Sequence, residues 1–229
     1  MYLPLLMNES LRPIRSFVRR QKKLNKNQQI AFDALSHQHL LSTCLDFKTL
    51  FEREAYTILE IGFGMGESLL QQVLHYPENN YLGIEVHRPG IAFMQMHIEK
   101  YKLKNIKVFY ADAADVLAHF IPKHSLDKVQ IFFPDPWPKT RHHKRRLIQP
   151  PFINLLREKH KLGGKLHLAT DWKNYAQHML RVMENSHQWK NLAGKNQFMK
   201  RPITRPLTKF EKRGQQLGHS IWDLIFLAI

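Results

Sequence analysis

The chain has 229 residues, 43% of them apolar, enough for one α/β domain with its own core and no covalent staples. Its single Cys44 excludes an intramolecular disulfide framework and suits a reducing, cytoplasmic setting, and no stretch approaches the length of a membrane span. A net charge of +16 favours a polyanion, nucleic acid first, over a membrane surface, for which no long basic amphipathic helix is visible.

Residues 1–27 carry Arg12, Arg15, Arg19, Arg20, Lys22, Lys23 and Lys26 with little periodic apolar content. They predict a basic N-terminal extension, either a solvated tail or an RNA-contacting arm, ahead of one domain over 28–229. Met1–Met7 is too short an apolar run for a secretory signal. The spacing of Ile30, Ala34, Leu35 and Leu41 predicts a helix from about Gln28 to Thr43.

The rest of the chain is arranged around the stretch Ile58-Leu59-Glu60-Ile61-Gly62-Phe63-Gly64-Met65-Gly66-Glu67. An apolar run closes on an acid, three alternating glycines come next, and a helical pattern continues over Leu69–Tyr76, the opening unit of an open α/β sheet. Glu67 stands where a dinucleotide fingerprint needs its third glycine, and a carboxylate there repels a pyrophosphate. Glu60 and Glu67 instead suit a ligand with positive charge and no phosphate, such as S-adenosylmethionine. A second strand, Asn80–Val86, carries Glu85 where such folds place the acid that holds ribose hydroxyls. A helix over Ile91–Leu103 and a strand over Ile106–Tyr110 lead to Asp112, which suits either an adenine amino group or the N-cap of the next helix.

The fourth strand, Leu126–Phe133, runs into Pro134-Asp135-Pro136-Trp137-Pro138-Lys139. Three prolines remove backbone freedom and hold Asp135, Trp137 and Lys139 in fixed directions. Next come Arg141, His142, His143, Lys144, Arg145 and Arg146, which beside a candidate site form a phosphate clamp. The histidine pair has no Cys or carboxylate at metal spacing, so no metal is expected. A helix over Pro150–Lys161, stopped by Gly163-Gly164, precedes a strand Lys165–Ala169 ending in Thr170-Asp171-Trp172. A helix over Asn174–Asn185 and a strand over Ser220–Ala228 complete the pattern, with a polar loop over 201–214 too long and decorated for a mere connector.

Together these motifs resemble the bacterial tRNA (guanine-N7-)-methyltransferases, from about Ile14 onward: Leu59–Gly66, Gly83–Glu85, Phe133–Lys139 with Arg141–Arg146, Thr170-Asp171, and Thr208–Gly214 with Gly218-His219. The Pro-Asp-Pro-Trp-Pro-Lys segment before His-His-Lys-Arg-Arg is the specific part. Lys22-Lys23-Leu24 departs from the Gly-Arg-Met often found there. The resemblance implies a Rossmann-like, seven-stranded, mostly parallel sheet with helices on both faces. It implies methyl transfer from S-adenosylmethionine to N7 of the variable-loop guanine, position 46, of tRNA. It gives Glu60, Gly62, Gly64, Gly66, Glu85, Asp112 and Asp135 to the cofactor, with Asp135 catalytic. Lys139, Asp171, Thr208, Lys209, Phe210 and Glu211 fall to the guanosine, and Arg141–Arg146 to RNA. Trp137 or Phe210 would then stack on the base. The rival readings are a nicotinamide oxidoreductase, disfavoured by Glu67, another class I nucleic-acid methyltransferase, and a cofactor-free RNA-binding module, disfavoured by acids at successive strand ends.

Overall fold

A computed structural model of the chain describes residues 15–17, 23–38, 44–208, 211, 218 and 220–229. The central apolar runs form strands buried at every position, β1 (Thr57–Ile61) and β2 (Asn80–Glu85). Strands covered on both faces need apolar side chains on both, which is why these segments show runs and not alternation. They join β3 (Ile106–Tyr110), β4 (Leu126–Phe132), β5 (His160–Thr170), β6 (Trp189–Asn191) and β7 (Trp222–Ala228) in one sheet ordered β3-β2-β1-β4-β5-β7-β6. The first five strands are parallel; β7 runs antiparallel to both β5 and β6. The Rossmann-like, seven-stranded, mostly parallel sheet expected from the sequence is present.

Successive residues of each strand feed opposite cores. Ile58 and Tyr81 pack with Phe32 of α1 (Lys26–Gln38), Leu69 and Val73 of α3 (Glu67–His75), and Ile91 and Met94 of α4 (Arg88–Tyr101). Leu59 and Leu82 pack on the other face with Leu117 of α5 (Ala113–His119), Leu156 of α6 (Pro150–Lys159) and Met179 of α7 (Lys173–Glu184). Strand order reverses between β1 and β4, so a crevice opens outside their carboxyl ends, where open α/β sheets take ligands.

Several boundaries differ from expectation. Helix α6 stops at Lys159, and β5 begins at His160, running through the glycine pair instead of after it. The register steps from Leu126↔His160 to Lys128↔Lys165, and Gly163 takes φ +77 within the bulge, so the glycines shape a strand irregularity and not a helix stop. Strand β7 starts at Trp222 rather than Ser220, and α1 ends at Gln38 within the described part of the expected helix. The short α2 (Phe47–Phe51) and β6 had no signal in the sequence pattern.

The first turn of α4 lies directly on the glycine loop. A Cβ at Gly90 would sit 1.7 Å from the Gly64 carbonyl oxygen, a backbone atom that cannot swing aside. Alanine in a helix normally gains about 0.5–1 kcal/mol over glycine. Here the sign should invert: Gly90→Ala is expected to lose about 1–3 kcal/mol in denaturant unfolding, the usual range for overpacking. A neutral or stabilising result would show that α4 is free to move off the loop.

Candidate active site at the carboxyl edge of the sheet

The glycine loop leaves β1 with Gly62, Gly64 and Gly66 at φ +76, +62 and +85, a region that side chains other than glycine's strain to adopt. Gly62 donates to the Ile84 carbonyl at 2.8 Å, and a Cβ placed on it would meet nothing within 4 Å, so bare backbone faces open space. At Gly66 a Cβ would strike Met94 Sδ at 2.6 Å; that glycine serves packing.

Glu85, at the end of β2, fixes this loop. Its Oε2 accepts the Gly64 N–H at 2.6 Å, and its Oε1 accepts those of Val86 and His87 at 2.6 and 2.9 Å. Burial pushes its carboxyl upward, the three N–H bonds pull it back, and the Asp135 charge adds to the rise. An ionised carboxylate has about four lone-pair sites, so roughly one remains for a ligand hydroxyl. Asp112 Oδ1 accepts the Ala114 N–H at 3.0 Å and caps α5, a role compatible with an adenine contact from the same carboxylate.

Glu60 is placed differently from a residue lining an open crevice. It is 3% exposed, beneath α3, where Gln130 Nε2 donates to it at 2.6 Å and Gln72 Nε2 at 3.4 Å. Burial pushes its carboxyl up to about 7, against the Gln130 hydrogen bond. The neighbouring Gln130 Oε1 is buried without a partner, the acceptor that a protonated Glu60 would suit.

Asp135 is exposed in the proline loop after β4. Phe133 and Trp137 on either side take φ +53 and +47, a strain of about 1–3 kcal/mol each that only a supporting frame maintains. The frame is visible. The Phe133 N–H donates to the Ala169 carbonyl at 2.8 Å, Arg146 Nε to the Pro136 carbonyl at 3.0 Å, and Trp137 Nε1 to the Ser16 carbonyl at 2.9 Å. The Arg145 guanidinium lies 3.9 Å over the Trp137 ring, so one indole face is taken and the expected stacking platform is partly spent on the protein itself.

The basic run forms a 3-10 helix over Thr140–Arg145, preceded by exposed Lys139. Arg141 and Lys144 are exposed, and His142 and His143 half-buried. Desolvation and the charges of Arg141, Arg145, Lys139 and Lys144 hold the His142 imidazole below its usual range, so it is neutral at pH 7. Arg146 does not belong with the exposed cations: it is 3% exposed, donates to Asn174 Oδ1 at 2.6 Å and lies 4.9 Å over the Tyr175 ring. Its guanidinium braces the proline loop from inside, which corrects its reading as an RNA contact.

Asp171 comes directly after β5, where the Thr170 hydroxyl accepts the Trp172 N–H at 3.2 Å. Glu211 departs most from expectation. It is fully buried, paired with Arg205 at 2.5 and 2.9 Å and with Arg201 at 2.9 Å. Arg205 also pairs with Asp223 at 2.7 Å, and Asp223 meets His167 Nε2 at 2.8 Å. A fully buried carboxylate held by two guanidinium groups is not the open acceptor expected for the base. Thr208 Oγ1 accepts the Glu211 N–H at 3.1 Å, so the Thr-x-x-Glu spacing closes a turn. Lys209 and Phe210 lie outside the described residues. Sequence reasoning missed Arg205 because nothing marks one of several loop arginines as the buried one.

Among the described residues no cluster of His, Cys, Asp or Glu could hold a metal ion, and no helix is long and apolar enough to cross a membrane. Residues 54–224 match the family model described as "Putative methyltransferase". Among solved structures, the 16S rRNA methyltransferase KamB superposes with a TM-score of 0.60 at 12% identity, covering 82% of this chain and 95% of that one. The aminoglycoside resistance methyltransferase NpmB1 gives 0.52 at 15% identity, covering 80% and 92%. The fold and the family model together define a methyltransferase. Relatives in Yersinia enterocolitica and Serratia proteamaculans, each named tRNA (guanine-N(7)-)-methyltransferase, are 50% identical over 220 residues, 95% of this chain and 92% of theirs. The chain belongs to the tRNA (guanine-N(7)-)-methyltransferase family.

The raised Glu60 carboxyl makes stability depend on pH. Between about 4.5 and 7 the folded state binds a proton that the unfolded state has released. Its contribution, up to about 3 kcal/mol, is fully present below the lower value and is lost as pH rises through the upper one. Glu60→Gln should therefore flatten the fall in stability between pH 5 and 8, measured by denaturant unfolding. Parallel wild-type and variant curves would mean that Glu60 stays ionised in the fold.

Proposed function

We propose that this protein transfers the methyl group of S-adenosylmethionine to N7 of a guanine in tRNA, in the variable loop at position 46. The reading rests chiefly on one arrangement: an exposed Asp135, held in a strained loop, beside a glycine cradle locked by Glu85 and below a basic helix. The cradle suits the cofactor, since Gly62 offers backbone with open space before it and Glu85 keeps acceptor capacity for a ribose hydroxyl. The cofactor supplies an electrophilic methyl group on a sulfonium.

Guanine N7 carries an in-plane lone pair and no proton, so no general base is needed at the reacting atom. The protein's work is alignment, worth up to roughly 7–11 kcal/mol in favourable cases, and stabilisation of the positive charge that arrives on the purine. Asp135 accepts hydrogen bonds from the guanine N1–H and amino group, which selects guanine over adenine and provides the counter-charge. Lys139 and Asp171 border the same edge and complete the guanosine contacts, with Thr208, Lys209 and Phe210 from the loop beyond. Arg141, Lys144 and Arg145 with the two histidines approach the RNA backbone. Residues 28–229 act as one methyltransferase domain preceded by the basic extension 1–27, and the protein works in the cytoplasm, where its tRNA is. Support for the boundary comes from α1, whose Phe32 is buried in the core beneath Arg88 at 4.6 Å.

The direct test is a tRNA carrying 7-deazaguanosine at the proposed position. Labelled methyl should pass to the unmodified tRNA as 7-methylguanosine and not to the analogue; transfer to both would overturn the reading. Asp135→Asn should lower the single-turnover rate about 10²-fold or more while cofactor binding by calorimetry persists. An unaltered rate removes Asp135 from the chemistry.

The basic run should divide by burial. Arg141→Ala with Lys144→Ala is expected to leave folding intact and reduce the slope of log affinity for tRNA against log salt by about two. Arg146→Ala should instead lower thermal stability. A steep, unchanged slope in the double variant would make the run a solvated face.

A further inference from the structure

The sheet face that carries Glu60 and Gln130 holds, one row nearer the amino ends of the strands, Lys128 on β4 and Lys165 on β5, direct partners in the parallel register. Like charges facing each other across strands are destabilising. Asp127, next to Lys128 in the chain, pairs with Lys161 at 2.8 Å, and among the described residues neither Lys128 nor Lys165 is ion-paired to a carboxylate. Both lysines line a cavity of about 380 Å³ between the sheet, the end of α3 at Gln72 and Tyr76, and the loop at Pro202 and Thr204. A second hollow along Leu74 and Ile203 shares Gln72, Tyr76 and Thr204 with it, so the space continues between α3 and that loop.

The charges around this space do not cancel. Burial pushes the Lys128 amine down to about 8; Glu60 opposes the fall and Lys165 deepens it. Glu60 is itself pushed up to about 7, so its negative charge is only partly present at neutral pH. Burial keeps the His167 imidazole below its usual range, and its Nε2 is turned to Asp223. Two amines stand on one floor, that of Lys165 reaching solvent, with aromatic walls at Tyr56 and Tyr76, and among the described residues no carboxylate is paired with either.

We propose that this cavity, on the sheet face toward the amino ends of its strands, is a second ligand site for a small molecule carrying a phosphoryl group. The group sits between the amines of Lys128 and Lys165, and its organic part lies against Tyr56 and Tyr76. A dianionic phosphoryl group matches two cations better than a single carboxylate, and the volume falls in the range of small-ligand pockets, about 300–1,000 Å³. The site is separate from the crevice beside Asp135.

The test uses the full chain, titrated calorimetrically with inorganic phosphate and with ribose 5-phosphate. Saturable binding is expected, weakened about tenfold in Lys165→Gln and in Lys128→Gln, the loss of one charged hydrogen bond. Lys165 is exposed, so its variant retains the fold even if Lys128→Gln does not. No saturable binding by either probe, or binding that survives in Lys165→Gln, overturns the proposal. Amine labelling gives a further arm. Shielding of Lys128 and Lys165 by tRNA, with neither small probe bound, would assign the cavity to an RNA backbone and overturn the small-molecule site.

Discussion

The site depends on one carboxylate accepting three backbone N–H groups. Glu85 joins the middle of the glycine loop to the end of β2 and the start of α4 through Gly64, Val86 and His87. Three glycines in left-handed conformation make a loop with little stiffness of its own. The carboxylate supplies that stiffness from outside, and the contact of Gly90 with Gly64 holds α4 down on the same turn. A ligand binding here meets a surface already ordered, so little conformational entropy is lost on binding.

A second frame stands behind the first. Arg201 and Arg205 meet Glu211 and Asp223, two cations against two anions, with His167 turned to Asp223. Arg205 also lies within 5.7 and 5.9 Å of the Phe132 and Phe133 rings, where the strained proline loop leaves β4. In a chain of net charge +16, these two acids are withdrawn from the surface to neutralise the buried Arg205, with Arg201 closing the cluster from the exposed side. Removing Arg205 would leave Asp223 buried without a cation, at a cost of about 3–5 kcal/mol. Arg205 and Glu211 are therefore as much a part of the interior as the strand they meet, although Ile203 and Leu207 of the same loop are exposed.

The fold was legible in the sequence where one physical signal acted alone. Ile58–Ile61 and Asn80–Glu85 are apolar runs closing on acids, and they are the central strands. Competing signals misled: Gly163-Gly164 read as a helix stop because a strand bulge has the same composition. Strand β6 is three residues long with Trp189 as its sole buried side chain, too little for any periodicity. In the site, the acids at the strand ends and the rigidity of the proline loop could be read from residue type. Arg146 and Glu211 could not, since charge alone does not tell which member of a polar run turns inward. Arg146 borders the apolar Leu147-Ile148, a weak hint that its side chain is drawn into the core.

The place of β7 bears on how this chain is made. It lies between β5 and β6, although β6 precedes it in sequence. During synthesis β5 therefore emerges with one edge unpaired, presenting the backbone of Leu166, Leu168 and Thr170 to any passing strand until Trp222–Ala228 has been translated. Such an open edge invites association between nascent chains. The same insertion makes the finished sheet hard to unravel from that side, because β7 is held on both edges.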